Sequence, residues 1–191
     1  MEMTKPMILA SASPRRQELL GFYGIPFEVV PSGADETAHG SGREQVEQLA
    51  RRKCEDVAQR YPDRLVLAAD TLVCVDDAVL GKPVDEEDAL RMLRLLSGRE
   101  HQVHTGVCIR CPDGQFIQRV ATTKVRFLQV GDDLLRRYIA TGEPMDKAGA
   151  YAIQGQAGAL IASIDGSPTN VIGLPLEVLT EMFEQLGLTM F

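Results

Sequence analysis

Two spacings of apolar residues recur along this chain and predict that strands alternate with helices. Short runs that are apolar throughout, of the kind buried on both faces of a sheet, lie at Met7 to Ala10 and at Leu65 to Ala69. Apolar residues at helical spacing occupy Glu44 to Tyr61 and Asp85 to Leu96. This alternation is typical of the α/β class, in which helices pack on a central sheet.

Two predicted hairpins indicate that the sheet is mixed rather than purely parallel. One continues the strand at Leu65 to Ala69 through Asp70 and Thr71 into Leu72 to Val75, and then turns at Asp76-Asp77. The other joins Val103 to Cys111 with Phe116 to Phe127 about Pro112-Asp113-Gly114, whose residue types suit a tight turn. We therefore expect one domain over residues 1–191, with two lobes around a twisted mixed β-sheet flanked by helices.

Shorter elements complete the predicted order. They are a helix that begins at the N-cap Ser13 and has its amphipathic part at Gln17 to Gly24, a strand at Phe27 to Val30, a loop at Pro31 to Gly42, a helix at Asp132 to Ala140, a strand at Ala159 to Ile164 and a closing helix at Pro175 to Leu186.

The composition limits the class of protein. A chain of 191 residues, 45% of them hydrophobic, is long enough for one sizeable core and short for two. No apolar run approaches the roughly 20 residues that span a bilayer, and the N-terminus lacks a signal-peptide apolar region, so we expect a soluble, cytoplasmic protein without a membrane partner. A net charge of −7, with no tryptophan and no basic stripe, argues against a nucleic-acid partner.

The cysteines and histidines form no recognisable metal or disulfide pattern. Cys108 and Cys111 have the spacing of half a zinc site, but the sequence contains no second such pair, and on a strand their side chains would point to opposite faces. We therefore expect the four cysteines to be structural. His101 and His104 lie on a strand-like stretch and offer no metal constellation.

Two arginines stand at a predicted helix start, where positive charge is unfavourable. Ser13 and Pro14 are a preferred N-cap and first helical residue, and Arg15 and Arg16 follow in the first turn. Because the free N–H groups and the dipole make that end positive, cations there are tolerated when an anion binds among them. The segment therefore indicates a phosphate site, with two solvated surface arginines as the alternative. The chain contains no P-loop and no Gly-x-Gly-x-x-Gly motif, which argues against those two nucleotide-binding classes.

Eight segments in a fixed order carry a resemblance to a known family. They are Ile8 to Leu20, Ala69-Asp70-Thr71, Gly81-Lys82-Pro83, Leu96-Ser97-Gly98, His104 to Val107, Asp146 to Tyr151, Ile153-Gln154-Gly155 and Val171 to Pro175. In this order they resemble the Maf-like nucleotide pyrophosphatases, once described as septum formation inhibitors. The resemblance implies a Maf/ITPase-like fold with a cleft between two lobes. It also implies cleavage of a nucleoside triphosphate between its α- and β-phosphates, which releases the monophosphate and pyrophosphate.

The resemblance further implies roles for individual residues. Asp70 is the catalytic carboxylate that accepts a proton from the attacking water. Glu36 and Asp70 hold a divalent metal cation, Mg²⁺ or Mn²⁺, as cofactor. The phosphate-binding set is Ser13, Arg16, Lys53 and Lys82. The residues alone leave three plain alternatives open: a turn-capping Asp70, a solvated acidic loop at Asp35-Glu36, and a Lys53 side chain that extends along its helix to water.

Three positions select a substrate class within the family. Arg15, Thr71 and Gln154 match the relatives that act on dTTP and UTP, whereas the relatives that act on 7-methyl-GTP have Trp, Gln and Glu there. A glutamine amide both donates and accepts, which matches O4 and N3–H of uracil or thymine, whereas a glutamate only accepts. We therefore expect hydrolysis of dTTP and UTP, and of modified uridine nucleotides, as a house-cleaning activity linked to cell-division arrest. A 7-methyl-GTP-type pyrophosphatase and a non-catalytic regulator of septum formation are the alternatives, and a homodimer is left open.

Overall fold

One seven-stranded mixed β-sheet runs through the part of the chain that the computed structural model describes, residues 5–191. Its strands are β1 Met7–Leu9, β2 Phe27–Val29, β3 Val66–Val75, β4 Ala78–Leu80, β5 Glu100–Arg110, β6 Phe116–Phe127 and β7 Ile161–Asp165. The order across the sheet is β2-β1-β3-β5-β6-β7, and β4 pairs with β3. β1 pairs in parallel with β2 and β3, whereas the remaining pairs are antiparallel.

Helices cover both faces of this sheet. They are α1 Pro14–Gly21, α2 Gly42–Arg60, α3 Glu86–Leu96, α4 Asp132–Ile139, α5 Pro168–Ile172 and α6 Leu176–Gln185, together with three 3₁₀ helices at Glu143–Asp146, Ala148–Ala150 and Gln156–Leu160. Among the described residues, none of these helices has the length and apolar character needed to cross a membrane. The α/β class and the mixed sheet are as predicted from the sequence.

The core consists of three clusters that divide the long strands into two lobes. In the first lobe, one cluster places Leu67 against α1 and α6, and another places Ala68 against α2 on the opposite face of the sheet. The second lobe contains Val73 and Val75, packed with α3 and α4. β3 thus passes from one lobe to the other between residues 69 and 73, and this crossing sets the position of the cleft.

The two ends of β3 have different neighbours along one edge. β1 pairs with Val66 and Leu67, and β4 pairs with Val73 to Val75. Residues 68–72 pair with β5 on the other side but with neither β1 nor β4. This gap in the sheet edge contains Asp70 and Thr71, so both residues lie at the boundary between the lobes.

The cysteines are buried, as expected for structural residues. Cys108 belongs to the cluster beneath α2, and Cys111 belongs to the cluster beneath α1 and α6. All four cysteines are buried and unpaired. Two residues three apart in sequence therefore serve two separate cores.

The C-terminal third departs most from the predicted elements. The strand expected at Ala159 begins at Ile161, because the 3₁₀ helix Gln156–Leu160 precedes it, and helix α5 was not predicted. Two glycines with positive φ interrupt these short elements: Gly149 lies inside the 3₁₀ helix Ala148–Ala150, and Gly173 directly follows α5. The first helix also ends earlier than predicted, at Gly21, because Gly24 has a left-handed backbone.

Candidate active site

A cleft of about 440 Å³ opens at the gap in the β3 edge. The first lobe contributes the β1–α1 loop and the loop that contains Ser32 and Glu36. The second lobe contributes Lys82, which follows β4, and the segment from Asp146 to Gln154. The cleft is thus lined by loops from both lobes around the stretch of β3 that lacks a neighbour on this edge.

The first turn of α1 faces this cleft, and the side chain of its N-cap residue makes no capping hydrogen bond. Ser13 has the extended backbone of an N-cap, but its side chain does not bond to the helix, and α1 has no acidic residue in its first turn. The Ser13 N–H donates to Ser11 Oγ at 3.2 Å, which holds the loop in place. The hydroxyl and the N–H groups of the helix start are therefore available to an anion.

Arg16 is held by three acceptors from three parts of the chain. Nε donates to the Gly173 carbonyl at 2.8 Å, one Nη donates to Ser11 Oγ at 3.2 Å, and the other donates to Thr71 Oγ1 at 3.0 Å. Burial lowers the pKa of Arg16 from its ordinary value, and the charge of Asp70 opposes that effect. Since a guanidinium has five N–H donors, two remain for a ligand after these bonds.

Lys53 joins the two predicted metal-binding carboxylates. Its ammonium lies 2.5 Å from Asp70 Oδ1 and 2.7 Å from Glu36 Oε1. The Lys53 and Asp70 side chains are only 15% and 12% exposed, whereas Glu36 is 72% exposed. The hydrogen bond and charge of Lys53 lower the pKa of Glu36, with smaller contributions from Lys82 and Arg16. A largely buried ion pair therefore has one exposed carboxylate beside it at the mouth of the cleft.

The loop that contains Glu36 is held by the same helix as Lys53. Arg52 donates to the carbonyls of Asp35 and Thr37 at 2.8 and 2.6 Å, on either side of Glu36. A capping box between Ser41 and Glu44 fixes the start of α2. The position of α2 thus determines where both Lys53 and Glu36 lie.

A glycine opposite Asp70 allows α2 to approach the sheet. Gly106 on β5 is in register with Asp70 on β3. A Cβ atom built on Gly106 would lie 2.2 Å from the Val46 carbonyl oxygen of α2, far inside any van der Waals contact. The missing side chain therefore lets the helix backbone come close enough for Lys53 to reach Asp70.

The same cleft contains the three predicted specificity residues. Arg15, Thr71 and Gln154 all line it. The Thr71 hydroxyl also bonds to Thr105 Oγ1 at 2.9 Å, so two protein groups hold it in place. Burial alone would raise the pKa of Asp146, but the hydrogen bond and charge of Lys147 and the charge of Arg15 outweigh it, and the pKa is lowered.

The predicted site residues come together in space. Asp70 adjoins the cleft through its contact with Lys53. The other predicted residues line the cleft: Ser13, Arg15, Arg16, Glu36, Lys53, Thr71, Lys82 and Gln154. The structure removes the alternative in which Lys53 extends to water, because its ammonium is bonded to Asp70 and Glu36 rather than free in solvent. It also places Lys53 between the predicted base and the predicted metal ligand, whereas the resemblance placed it only among the phosphate-binding residues.

Sequence reasoning missed two polar residues of the cleft and a buried asparagine that precedes its lining residue Val171. Asp146 and Lys147 line the cleft, although their motif was used only to establish the resemblance. Buried Asn170 donates from Nδ2 to the Val103 carbonyl and to Thr123 Oγ1, both at 3.0 Å, and its backbone carbonyl accepts from Thr105 Oγ1. Asp146 and Lys147 could have been noticed as charged residues within a glycine-rich segment. The sequence around Asn170 offers no such signal.

Comparison with known proteins finds similarity over nearly the whole chain. Residues 6–186 match a family model described as Maf-like protein. A dTTP/UTP pyrophosphatase from Symbiobacterium thermophilum is 52% identical over 187 residues, covering 97% of this chain and 96% of that protein. A dTTP/UTP pyrophosphatase from Thermococcus gammatolerans is 49% identical over 178 residues, covering 93% of this chain and 95% of that protein.

Solved structures share the fold at low sequence identity. The Staphylococcus aureus Ham1 protein superposes with a TM-score of 0.56 at 16% identity, covering 95% of this chain and all of that one. A HAM1 protein from Coxiella burnetii gives a TM-score of 0.52 at 16% identity, covering 94% of this chain and 98% of that one. This similarity concerns the fold alone.

Proposed function

This chain belongs to the Maf-like family, and we propose that it is a nucleoside triphosphate pyrophosphatase that converts dTTP and UTP to the monophosphate and pyrophosphate. The observation that carries the proposal is the contact of Lys53 with both Asp70 and Glu36 in a cleft that also contains Arg16. Phosphoryl chemistry depends on positioning and on charge neutralisation more than on covalent catalysis. This cleft supplies a base, cations and a helix N-terminus within one small volume.

We assign each group a part in the reaction. Arg16, Lys82 and the start of α1 bind the phosphates, because they place positive charge and free donors along the cleft. Asp70 accepts a proton from the water that attacks phosphorus. Lys53 holds the Asp70 carboxylate in position before the substrate binds, and a phosphate that competes for the ammonium frees Asp70 for that proton.

A divalent cation fits the donor set of this site. Glu36 and Asp70 offer hard carboxylate oxygens, as Mg²⁺ and Mn²⁺ prefer, and no group of three or more His, Cys, Asp or Glu side chains that could hold a metal ion occurs among residues 5–191. Two carboxylates suit an ion that takes its other ligands from substrate phosphates and water. When bound, the ion would offset phosphate charge at the scissile bond.

The metal proposal has a test that does not depend on turnover alone. We expect a chelator to abolish activity and Mg²⁺ or Mn²⁺ to restore it. Calorimetric binding of Mn²⁺ in the presence of the α,β-methylene analogue of dTTP should weaken in Glu36→Gln and stay unchanged in Asp77→Asn, an exposed carboxylate at the β3–β4 turn. Full activity in excess chelator would contradict the proposal.

Gln154 supports a pyrimidine as the base of the substrate. Gln154 lines the cleft, and its side-chain amide has no hydrogen-bond partner among the described residues, so its donor and acceptor are both available. That pair matches O4 and N3–H of uracil or thymine. Arg15 lines the same cleft. Modified uridine nucleotides that keep these two groups fall within the same substrate class.

A substrate panel tests the whole proposal. Purified protein with Mg²⁺ or Mn²⁺ should hydrolyse dTTP and UTP in preference to 7-methyl-GTP, GTP and ATP. A preference for 7-methyl-GTP would favour the other subfamily, and no turnover of any nucleotide would favour the non-catalytic division regulator. A homodimer, a cytoplasmic location and the absence of a nucleic-acid partner remain predictions, of which sedimentation addresses the first.

A further inference from the structure

Gln154 lies on a short turn whose position must be fixed if its amide is to read a base. The Gly155 N–H donates to the Ala152 carbonyl at 3.1 Å and closes the turn. Before the turn, Tyr151 is buried and its hydroxyl bonds to His101 at 2.8 Å. After the turn comes the 3₁₀ helix Gln156–Leu160, whose N-cap Gly155 has no side chain to cap it. The anchor on this second side must therefore come from elsewhere.

Glu143 supplies that anchor from a different 3₁₀ helix. Its carboxylate accepts from the Gln156 N–H at 2.9 Å and from the Ala157 N–H at 3.3 Å. The Tyr138 hydroxyl donates to the same carboxylate at 3.0 Å. A side-chain carboxylate that accepts the first free N–H groups of a helix is a cap, and here the cap is 13 residues earlier in the chain than Gln156.

Gly155 makes room for this carboxylate. A Cβ atom built on Gly155 would lie 2.4 Å from three atoms of the Glu143 carboxylate group. A residue with a side chain at position 155 would therefore displace Glu143 or the turn. The absence of a side chain at position 155 and the carboxylate at position 143 are thus complementary.

The charge of Glu143 has only neutral donors around it. Among the described residues Glu143 takes part in no ion pair, and its partners are two backbone N–H groups and a tyrosine. Burial, and then the hydrogen bond to Glu143 and its charge, raise the pKa of Tyr138, so the hydroxyl stays a donor at neutral pH. Tyr138 belongs to α4 and packs in the second-lobe core, which connects the Gln154 turn to a rigid element.

We propose that Glu143 is a positioning residue for base selectivity, which holds the Gln154 turn at the cleft through the 3₁₀ helix that follows it. The inference rests on the proposed function, because it assumes that Gln154 faces the base. Glu143 does not line the cleft, so its effect on selectivity is indirect. Loss of the anchor should weaken the discrimination between bases while leaving the phosphate end intact.

The test compares Glu143→Ala and Glu143→Gln with wild type and with Glu181→Ala, an exposed glutamate of α6 that contacts neither the cleft nor the turn. Tyr138→Phe is a milder variant, since it removes one of the three bonds to the carboxylate. Three measurements are made on each protein: amide hydrogen exchange over residues 152–160, kcat/KM for dTTP, UTP and 7-methyl-GTP, and binding of the α,β-methylene analogues of dTTP and GTP.

We expect faster exchange over residues 152–160 in Glu143→Ala and a loss of roughly tenfold in kcat/KM for dTTP and UTP, with less than about a twofold change for 7-methyl-GTP. Glu143→Gln should recover part of the loss, because its amide oxygen still accepts from an N–H group. Parallel losses for all three nucleotides, or unchanged exchange, would overturn the inference. Failure of wild type to hydrolyse any nucleotide would overturn the proposed function instead, and the exchange and analogue-binding ratios would still decide the role of Glu143.

Discussion

The ammonium of Lys53 on α2 lies 2.5 Å from a carboxylate oxygen of Asp70 on β3, and both side chains are largely buried. A buried pair of this kind leaves a costly uncompensated charge when one partner is removed. Here the second carboxylate, Glu36, lies 2.7 Å from the same ammonium and limits that cost. The arrangement therefore allows Asp70 to be changed without leaving Lys53 unpaired.

Asp70→Asn should keep the fold and the binding of nucleotide but lose most turnover, because the change removes the base and nearly preserves the shape. We expect kcat to fall more than tenfold, which corresponds to more than about 1.4 kcal/mol. Steady-state kinetics on dTTP measure the effect, with circular dichroism as the check on folding and Asp77→Asn as the matched control. A variant that keeps more than about a tenth of the wild-type rate would refute the base assignment.

Arg16→Ala should raise KM for the triphosphate and make binding less sensitive to salt, since one phosphate-facing charge is lost. It should also lower the free energy of unfolding by about 1–3 kcal/mol, because the Gly173 carbonyl and the Thr71 hydroxyl lose a donor. Arg16→Lys keeps the charge but not the three-way geometry, so it should retain the salt dependence while KM still rises. KM values that match those of the surface control Arg43→Ala at low and high salt would make Arg16 an ordinary surface arginine.

Gln154→Glu should weaken dTTP and UTP hydrolysis selectively, because an acceptor-only carboxylate would face O4 and leave it without a donor. The expected loss is on the order of 1–3 kcal/mol in transition-state binding. The measurement is kcat/KM for dTTP, UTP and 7-methyl-GTP in wild type, in the variant and in Gln59→Glu, which adds the same charge on the exposed side of α2. An unchanged ratio of pyrimidine to guanine activity would mean that Gln154 does not read the base.

His101 should make the stability depend on pH. Burial lowers its pKa to about 4, and its Nδ1 atom is buried without a partner while Nε2 bonds to Tyr151. His101 takes up a proton near pH 6.5 in the unfolded chain but only near pH 4 in the folded protein. Protonation therefore favours the unfolded chain between these values, so the free energy of unfolding is highest above pH 6.5 and decreases as pH falls toward 4. The loss should approach about 3 kcal/mol.

Urea unfolding of wild type and His101→Phe between pH 4 and pH 7.5 tests this prediction. The phenylalanine keeps the ring packing against Phe127 and Tyr151 but has no titrating group. The difference in the free energy of unfolding between the two proteins should therefore change between pH 4 and pH 6.5 and be constant above pH 6.5. A constant difference would show that His101 does not titrate on unfolding.

Periodicity predicted most of the fold, because most elements bury a continuous apolar face. The long helix α2 has apolar residues at regular spacing, and β3 is apolar along most of its length, so both were recognisable in the sequence. The segment from Gly142 to Leu160 was not recognisable in the sequence, because its 3₁₀ helices are three to five residues long and too short to show a periodic spacing of apolar residues. Its shape is set by contacts with α3, α4 and β3 rather than by its own pattern.

The site was predictable only in part, for a related reason. Arg16 was noticeable because a cation at a helix start is unfavourable, and Asp70 because a carboxylate interrupts an apolar strand. The contact between Lys53 and Asp70 joins residues 17 positions apart on different elements, and that between Arg16 and Gly173 joins residues 157 apart. Such pairs follow from the packing of the sheet and not from any local spacing.

Gly106 shows how a position can matter to the reaction without touching the reactants. Any side chain there would push α2 away from the sheet and carry Lys53 and Glu36 with it. In a saturation-mutagenesis experiment scored by activity, this glycine would rank with Asp70. An alanine there would remove turnover through a methyl group on the opposite strand. Intolerance to substitution in this enzyme is therefore evidence of a contact with substrate only after the distance between α2 and the sheet has been shown to be unchanged.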